Sequence, residues 1–329
     1  MNISVLITGG AGYIGSHTVK LLLKDGFEVL ILDNFSSGRL ELLIGGKVIQ
    51  ADLRDRDALY EIFSCHRIQA VLHFASLIQV GESYKNPQKY YTHNLETSFN
   101  LLRTLLSFGV KYFIFSSSAA VYGVPKQIPI PESHPPQPIN PYGWTKLFVE
   151  TILQDYSRAY GLRFISLRYF NAAGADPEGQ LGEIHEPETH LIPNILLHLL
   201  GYKKEFHLFG NDFPTPDGTA VRDYIHVTDL AEAHMLALKK LLQGGESDFL
   251  NLGSNRGYSV LEVIHKSEEI TGRKVNYIQK PRRKGDVPVL LASQEKAKKS
   301  LGWKPAYSSL ENIIETAWSW HCQRSEQER

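Results

Sequence analysis

The first chemistry the sequence suggests lies in the pentad Tyr142-Gly143-Trp144-Thr145-Lys146. A tyrosine and a lysine at this spacing share a helix face, about one turn apart. Holding a phenol as phenolate near neutral pH costs roughly 4 kcal/mol. One ammonium at ~4 Å, in an effective dielectric of about 20, offers about that much. The pair is therefore a candidate tyrosine base tuned by its neighbour. A surface helix carrying an unrelated Tyr and Lys is the alternative. Pro141 suits a first helical turn, and Phe148, Val149, Ile152, Leu153 and Tyr156 follow at helical spacing, so a helix must carry the pair.

A second constellation opens the chain. A short apolar run at 3–7 leads into Thr8-Gly9-Gly10-Ala11-Gly12-Tyr13-Ile14-Gly15, then an amphipathic segment, then a second apolar run at 28–32 ending in Asp33-Asn34. Gly10, Gly12 and Gly15 fit GxGxxG; Gly9, Gly12 and Gly15 fit GxxGxxG. Such a turn lets a pyrophosphate approach backbone N–H groups at a helix start. Asp33 can accept hydrogen bonds from an adenosine ribose and would repel a 2′-phosphate, which favours NAD over NADP. Arg39 is close enough in sequence to leave NADP open.

Strands alternate with helices through residue 116: strands at 48–51, 70–74 and 112–116, helices at 57–64 and within 87–108. That pattern predicts an α/β fold with a Rossmann-type, doubly wound parallel sheet. Ligands on such sheets sit at the carboxyl ends of the strands. Those ends carry the glycine turn, Asp33, Asp52, Ala75 and Ser116 to Ser118. Asp52 is open to two roles, an adenine contact or a helix N-cap. The Pro-rich stretch 124–140 reads as a rigid connector with Glu132 and His134 in solvent. After a strand at 164–167, residues 176–190 read as a loop. His185 and His190 have no recognised metal-ligand spacing, so no metal is expected. A helix at 191–200, a turn-rich segment at 206–218, a strand at 225–227, a helix at 230–242 and a frayed tail at 323–329 complete the chain. The expected division is 1–175 for the dinucleotide and 176–329 for a smaller C-terminal α/β lobe, with some segments returning to the first sheet.

Lysine plus arginine equal aspartate plus glutamate, 35 each, so nothing marks a nucleic-acid or acidic-membrane partner. No apolar stretch approaches a membrane span. Cys65 and Cys322 lack a framework spacing and suit a reducing, cytoplasmic compartment.

Taken together, residues 8–15, 116–118 and 142–146 resemble the extended short-chain dehydrogenase/reductases. Further stretches, GGAGYIGSHT (9–18), VGES (80–83), FSSSAAVYG (115–123), RYFNAAG (168–174), FGNDFPTPDGTAVRDYIHV (209–227) and RRKGDVP (282–288), resemble the UDP-hexose 4-epimerase branch. The resemblance implies reversible C4 epimerisation of UDP-galactose and UDP-glucose through a 4-keto intermediate, with tightly bound NAD. It gives Tyr142 the role of base, Lys146 that of tuning it and holding the nicotinamide ribose, and Ser118 that of orienting the sugar oxygen. It assigns Gly9, Gly12, Tyr13, Ile14, Gly15, Asp33, Asn34, Asp52, Leu53, Phe74, Ala75, Asn94, Ser116 and Tyr169 to the cofactor. It assigns Asn171, His190, Arg222, Arg283, Asp286 and Leu290 to the UDP-sugar. Arg222 suits phosphate by its fork geometry, a surface ion pair with Asp223 being the alternative. Dehydratase relatives carry an Asp-Glu pair after the serine; Ala119 and Ala120 stand here and cannot move protons. Ile78 replaces a lysine of many relatives, Thr97 a glycine, and His190 an asparagine. Leu290 is intermediate in size at a position that gates N-acetylated sugars. A UDP-N-acetylglucosamine or UDP-uronate 4-epimerase and a non-catalytic NAD sensor are the competing readings. A homodimer through the helices within 87–108 and 142–160 is expected from the resemblance alone.

Overall fold

The computed structural model describes residues 3–283 and 285–327. In chain order the first half contains β1 (Ser4–Thr8), α1 (Tyr13–Lys24), β2 (Glu28–Asp33), β3 (Lys47–Gln50), α2 (Arg56–Cys65), β4 (Ala70–His73), α3 (Val80–Lys85), α4 (Pro87–Ser107), β5 (Tyr112–Ser118), α5 (Pro141–Tyr160) and β6 (Arg163–Tyr169). The second contains β7 (Asn171–Ala173), α6 (Leu191–Leu199), β8 (Phe206–Phe209), β9 (Val221–His226), α7 (Val227–Leu242), β10 (Asp248–Leu252), β11 (Gly257–Ser259), α8 (Val260–Thr271), β12 (Tyr277–Lys280), β13 (Val289–Leu290), α9 (Glu295–Leu301) and α10 (Leu310–Gln327).

Seven strands form one parallel sheet in the order β10-β6-β5-β4-β1-β2-β3. Both faces are covered, as parallel sheets require. Along β1, Val5 and Ile7 point to one face, under Val19 and Leu22 of α1 and Leu230 and Ala237 of α7. Leu6 points to the other, under Leu101 and Leu102 of α4 and Val149 and Leu153 of α5. Strand order reverses between β1 and β4, and a crevice opens where the loops after these two strands diverge. The last strand, β10, comes from the second half of the chain, as does α7.

The second lobe is built on β9. Strand β11 pairs with it antiparallel, and β13 and β7 pair with it parallel. Strands β8 and β12 form a separate parallel pair. Their core includes Ile195, Leu196, Phe206, Tyr224, Val263, Ile313 and Ile314.

Two expectations fail here. The tail is helical to Gln327, because Trp320, His321 and Ser325 of α10 are buried against the body of the protein; Glu328 and Arg329 lie outside the described residues. Glu132 and His134 are not solvated either. His134 is buried, with its Nε2 accepting from the Lys126 N–H at 2.9 Å, and Glu132 accepts from the Asn251 N–H at 2.8 Å. The Pro-rich loop pairs its backbone only locally, through Ile130 bridged to Ala292, and these side chains fasten it further.

Candidate active site

Helix α5 begins at Pro141, capped by the Asn140 side chain, which accepts from the Gly143 N–H at 2.8 Å. The cap points the first two turns of the helix at the end of β5. Gly143 is required there, because a Cβ would lie 2.5 Å from the Ala120 carbonyl oxygen. Tyr142 and Lys146 are 8% and 3% exposed. The Lys146 Nζ stands 5.7 Å from the Tyr142 ring centroid and 5.0 Å from that of Phe115, and donates to the Ser116 carbonyl at 2.8 Å. Ser118 ends β5 and interacts with the Tyr142 oxygen.

The electrostatics differ from the sequence expectation. Burial pushes the Tyr142 phenol up to about 12, and the Ser118 hydrogen bond only partly offsets this. Burial likewise pushes Lys146 down to about 7, opposed by the Glu150 carboxylate one turn further on. Desolvation therefore outweighs the mutual help the pair could give, since the ammonium is directed at a carbonyl. In the protein alone the resting phenol is protonated.

The glycine turn closes against the loop after β4. Gly9 has φ +72°, and a Cβ there would meet the Ala75 backbone nitrogen at 2.6 Å. At Gly15 it would lie 2.2 Å from the Gly9 carbonyl oxygen. No side chain caps α1, so the N–H groups that begin at Tyr13 and Ile14 face outward for an anion. Asp33 ends β2, and its two oxygens accept from the Ala11 N–H at 3.0 Å and the Phe35 N–H at 2.9 Å. Burial raises its pKa.

The remaining assigned cofactor residues fall around this crevice, with different commitments. Asp52 is not an N-cap: Asp55 caps α2. Instead Asp52 accepts from the Arg54 guanidinium and from the Asn34 amide at 2.9 Å, and Arg54 holds its pKa well below the carboxylate range. Leu53 is buried beneath it. The Phe74 ring packs on His234 with centroids 4.6 Å apart. Asn94 is engaged internally, bonding both backbone groups of Leu77 and the Thr145 hydroxyl. It thereby ties the loop after β4 to α5. The Ser116 and Tyr169 hydroxyls pair with each other. Arg39 pairs with Glu186 at 2.9 Å, leaving Asp33 as the acidic side chain beside the turn.

On the second lobe, Arg222, Arg283 and Asp286 come together. Arg222 lies on β9 and donates to the Val287 carbonyl at 2.8 Å. Arg283 pairs with Asp286 at 3.1 Å, and the charges of both act on Arg222. The alternative Arg222–Asp223 ion pair is excluded by strand alternation. Asp223 faces the other way, accepting from Ser254 and the Ala292 N–H. Leu290 of β13 is in register with Arg222 and packs with Leu147 of α5 around Val121 and Tyr122, so it links the sheet built on β9 to the catalytic helix. Asn171 starts β7 beside Tyr224 of β9. His190 precedes α6, its Nδ1 against Glu183.

Several participants carried no sequence signal. Thr145 was legible only as a helix position, and Glu150 only as the next residue on the face of Lys146.

The family model of the NAD-dependent epimerase/dehydratase family matches residues 5–253. The chain belongs to that family. It is 49% identical over 318 residues to a UDP-glucose 4-epimerase of Halalkalibacterium halodurans, covering 97% of this chain and 95% of that one. It superposes with a TM-score of 0.94 on the UDP-glucose 4-epimerase of Brucella ovis in complex with NAD, at 46% identity, covering 96% and 97% of the two chains. A TM-score of 0.94 also relates it to the Bifidobacterium longum UDP-glucose 4-epimerase in complex with NAD+ and UDP, at 39% identity, covering 98% and 99%.

Proposed function

We propose that the chain is an NAD-dependent isomerase that interconverts UDP-galactose and UDP-glucose at C4. One observation carries the reading: a buried Tyr-Lys pair stands beside Ser118, and the two residues after that serine, Ala119 and Ala120, bear no acid. The site is suited to hydride transfer and the movement of one O–H proton. Water elimination needs a second acid or base at the neighbouring carbon.

The glycine turn suits a dinucleotide, since Gly9 and Gly15 allow it to fold tightly against the Ala75 backbone and on itself, which leaves the start of α1 uncapped by any side chain. The uncapped start of α1 would hold the pyrophosphate, Asp33 the adenosine ribose, and Lys146 the nicotinamide ribose. NAD held there would supply a reversible hydride acceptor for the sugar's C4, through which configuration at that carbon can invert. Tyr142 takes the 4-hydroxyl proton and gives it back. The cationic charge of an oxidised nicotinamide in this crevice would lower the Tyr142 phenol toward its working range. Ser118 orients the oxygen throughout. Arg222, Arg283, Asp286 and Asn171 grip the UDP, so binding is concentrated away from the reacting carbon and the hexose is left free to turn.

Phe99 of α4 and Trp144 and Phe148 of α5 are exposed large apolar side chains on adjacent helices. This ridge supports a homodimer through α4 and α5. Among the described residues no helix is long and apolar enough to cross a membrane. Both cysteines are free, which supports the reducing cytoplasm as its compartment.

The deciding experiment mixes the purified protein with UDP-galactose and adds no cofactor. UDP-glucose should accumulate to equilibrium. Stoichiometric consumption of added NAD would instead indicate a net dehydrogenase.

A further inference from the structure

The loop between β7 and α6 folds four ligand-type side chains onto one point. The donor atoms of Glu183, His185, Glu188 and His190 all lie within 4.8 Å of one another. Glu183 is at the centre and 5% exposed, and one of its oxygens is faced by two ring nitrogens, the Nδ1 of His190 and the Nδ1 of His185 at 3.0 Å. The His185 Nδ1 is also 3.6 Å from a Glu188 oxygen. The other Glu188 oxygen is held by the N–H groups of Thr189 and His190 at 2.7 and 2.8 Å, which fixes the free one toward His185.

Charge attraction draws the two imidazoles onto the carboxylates, and within the cluster the buried His185 Nδ1, 3.0 Å from a Glu183 oxygen, is left without an aligned hydrogen bond among the described residues. Adjacent ligands around a tetrahedral ion with bonds of ~2.1 Å are about 3.4 Å apart; the His185 separations of 3.0 and 3.6 Å lie near that value, whereas His190 and Glu183 touch more closely and must part for an ion to enter. Two imidazoles and two carboxylates form a donor set that suits first-row divalent ions, zinc foremost.

The surroundings are built to hold the cluster in place. The Glu183 carbonyl accepts from the Trp320 indole N–H of α10 at 3.4 Å. The His185 ring meets Tyr13, the first residue of α1, edge-on at 6.4 Å. We propose that Glu183, His185, Glu188 and His190 bind one divalent transition-metal ion, of the class of Zn2+, which clamps this loop against the start of α1 and against α10. The cluster escapes a sequence reading because E-x-H-x-x-E-x-H matches no helical metal motif; the turn of the loop brings the four together.

The test uses the protein as purified, treated with chelator and then titrated with Zn2+ against a chromophoric competitor, and separately with Co2+ followed by visible absorption. One ion per chain should bind. H185Q and the near-isosteric E188Q should each weaken Zn2+ at least about tenfold and reduce the Co2+ band. H207Q, at an exposed histidine on β8, should do neither. Zn2+ should raise the melting temperature of the parent and not of E188Q. Absence of stoichiometric Zn2+ uptake by the parent would overturn the proposal. So would uptake of equal strength in the parent and in a folded E188Q.

Discussion

Two charged groups on one face of α5, a turn apart, live in opposite circumstances. Glu150 is fully satisfied. Its carboxylate accepts from Ser117 at 2.7 Å, Ser166 at 2.8 Å, and Arg168 through Nε at 2.9 Å and Nη2 at 2.6 Å. Arg168 continues to the Tyr122 hydroxyl, and Tyr122 to Asn251 of β10. Lys146 is as deeply buried, yet its acceptor is the neutral Ser116 carbonyl, and its pKa has fallen to about 7. Saturated polar networks make a scaffold rigid, while undersupplied charges are reactive and costly. The network holds β5, β6, β10 and α5 together, so that the strained pair beside it keeps its place.

The largest expected effect breaks the reactive side. Tyr142→Phe should lower turnover of UDP-galactose by about 10²- to 10⁴-fold, the usual scale for losing a positioned acid-base group, with UDP binding little changed. Turnover at the parental rate would remove Tyr142 from the mechanism. The scaffold side is probed next. Glu150→Ala leaves the Arg168 guanidinium buried and unpaired, and should cost about 3–5 kcal/mol in denaturant unfolding. A loss within the range of a surface pair, about 1 kcal/mol or less, would show that the network is not structural.

Lys146→Met tests whether the charge is a burden on the fold. With a folded pKa of about 7 against an ordinary 10.5, the unfolded chain binds more protons than the folded one between those values. Stability of the parent should therefore rise with pH across that window, and the penalty should be complete below about pH 7. In the Met variant this contribution to the slope disappears and stability below pH 7 increases, while epimerisation is lost. Melting curves from pH 6 upward, both proteins in the same cofactor state, read this directly. The smallest effect concerns specificity. Leu290→Tyr should lower the ratio of UDP-GalNAc to UDP-galactose turnover by about tenfold, the scale of a single steric difference in a pocket. An unchanged ratio would place the gate elsewhere.

The glycine turn, the strand alternation and the Tyr-Lys spacing were legible in the sequence because each is local. Gly9 and Gly15 follow from contacts across the turn they build, and Tyr142 and Lys146 from a single helix. What escaped depends on side-chain direction, burial and loop conformation, which spacing alone does not report. Arg222 and Asp223 are neighbours in sequence, yet strand alternation sends them to opposite faces. Asp52 lost its N-cap alternative to Asp55, and the partner it took was Arg54. The sign of the Tyr142 shift needed burial, which spacing does not report. The Glu183–His190 cluster needed a loop conformation that no periodicity encodes.

The position of β10 has a consequence for synthesis. Residues 248–252 supply the seventh strand, so a nascent chain that has emerged only to Gly174 already owns its glycine turn, Ser118, Tyr142 and Lys146 but leaves the outer edge of β6 open. That edge and the apolar face meant for α7 must wait for roughly another eighty residues, several seconds of translation. A ribosome stalled in that interval would present an unpaired β-edge to its neighbours, and a gene split after residue 175 should yield an insoluble first half that is rescued by co-expression of the second.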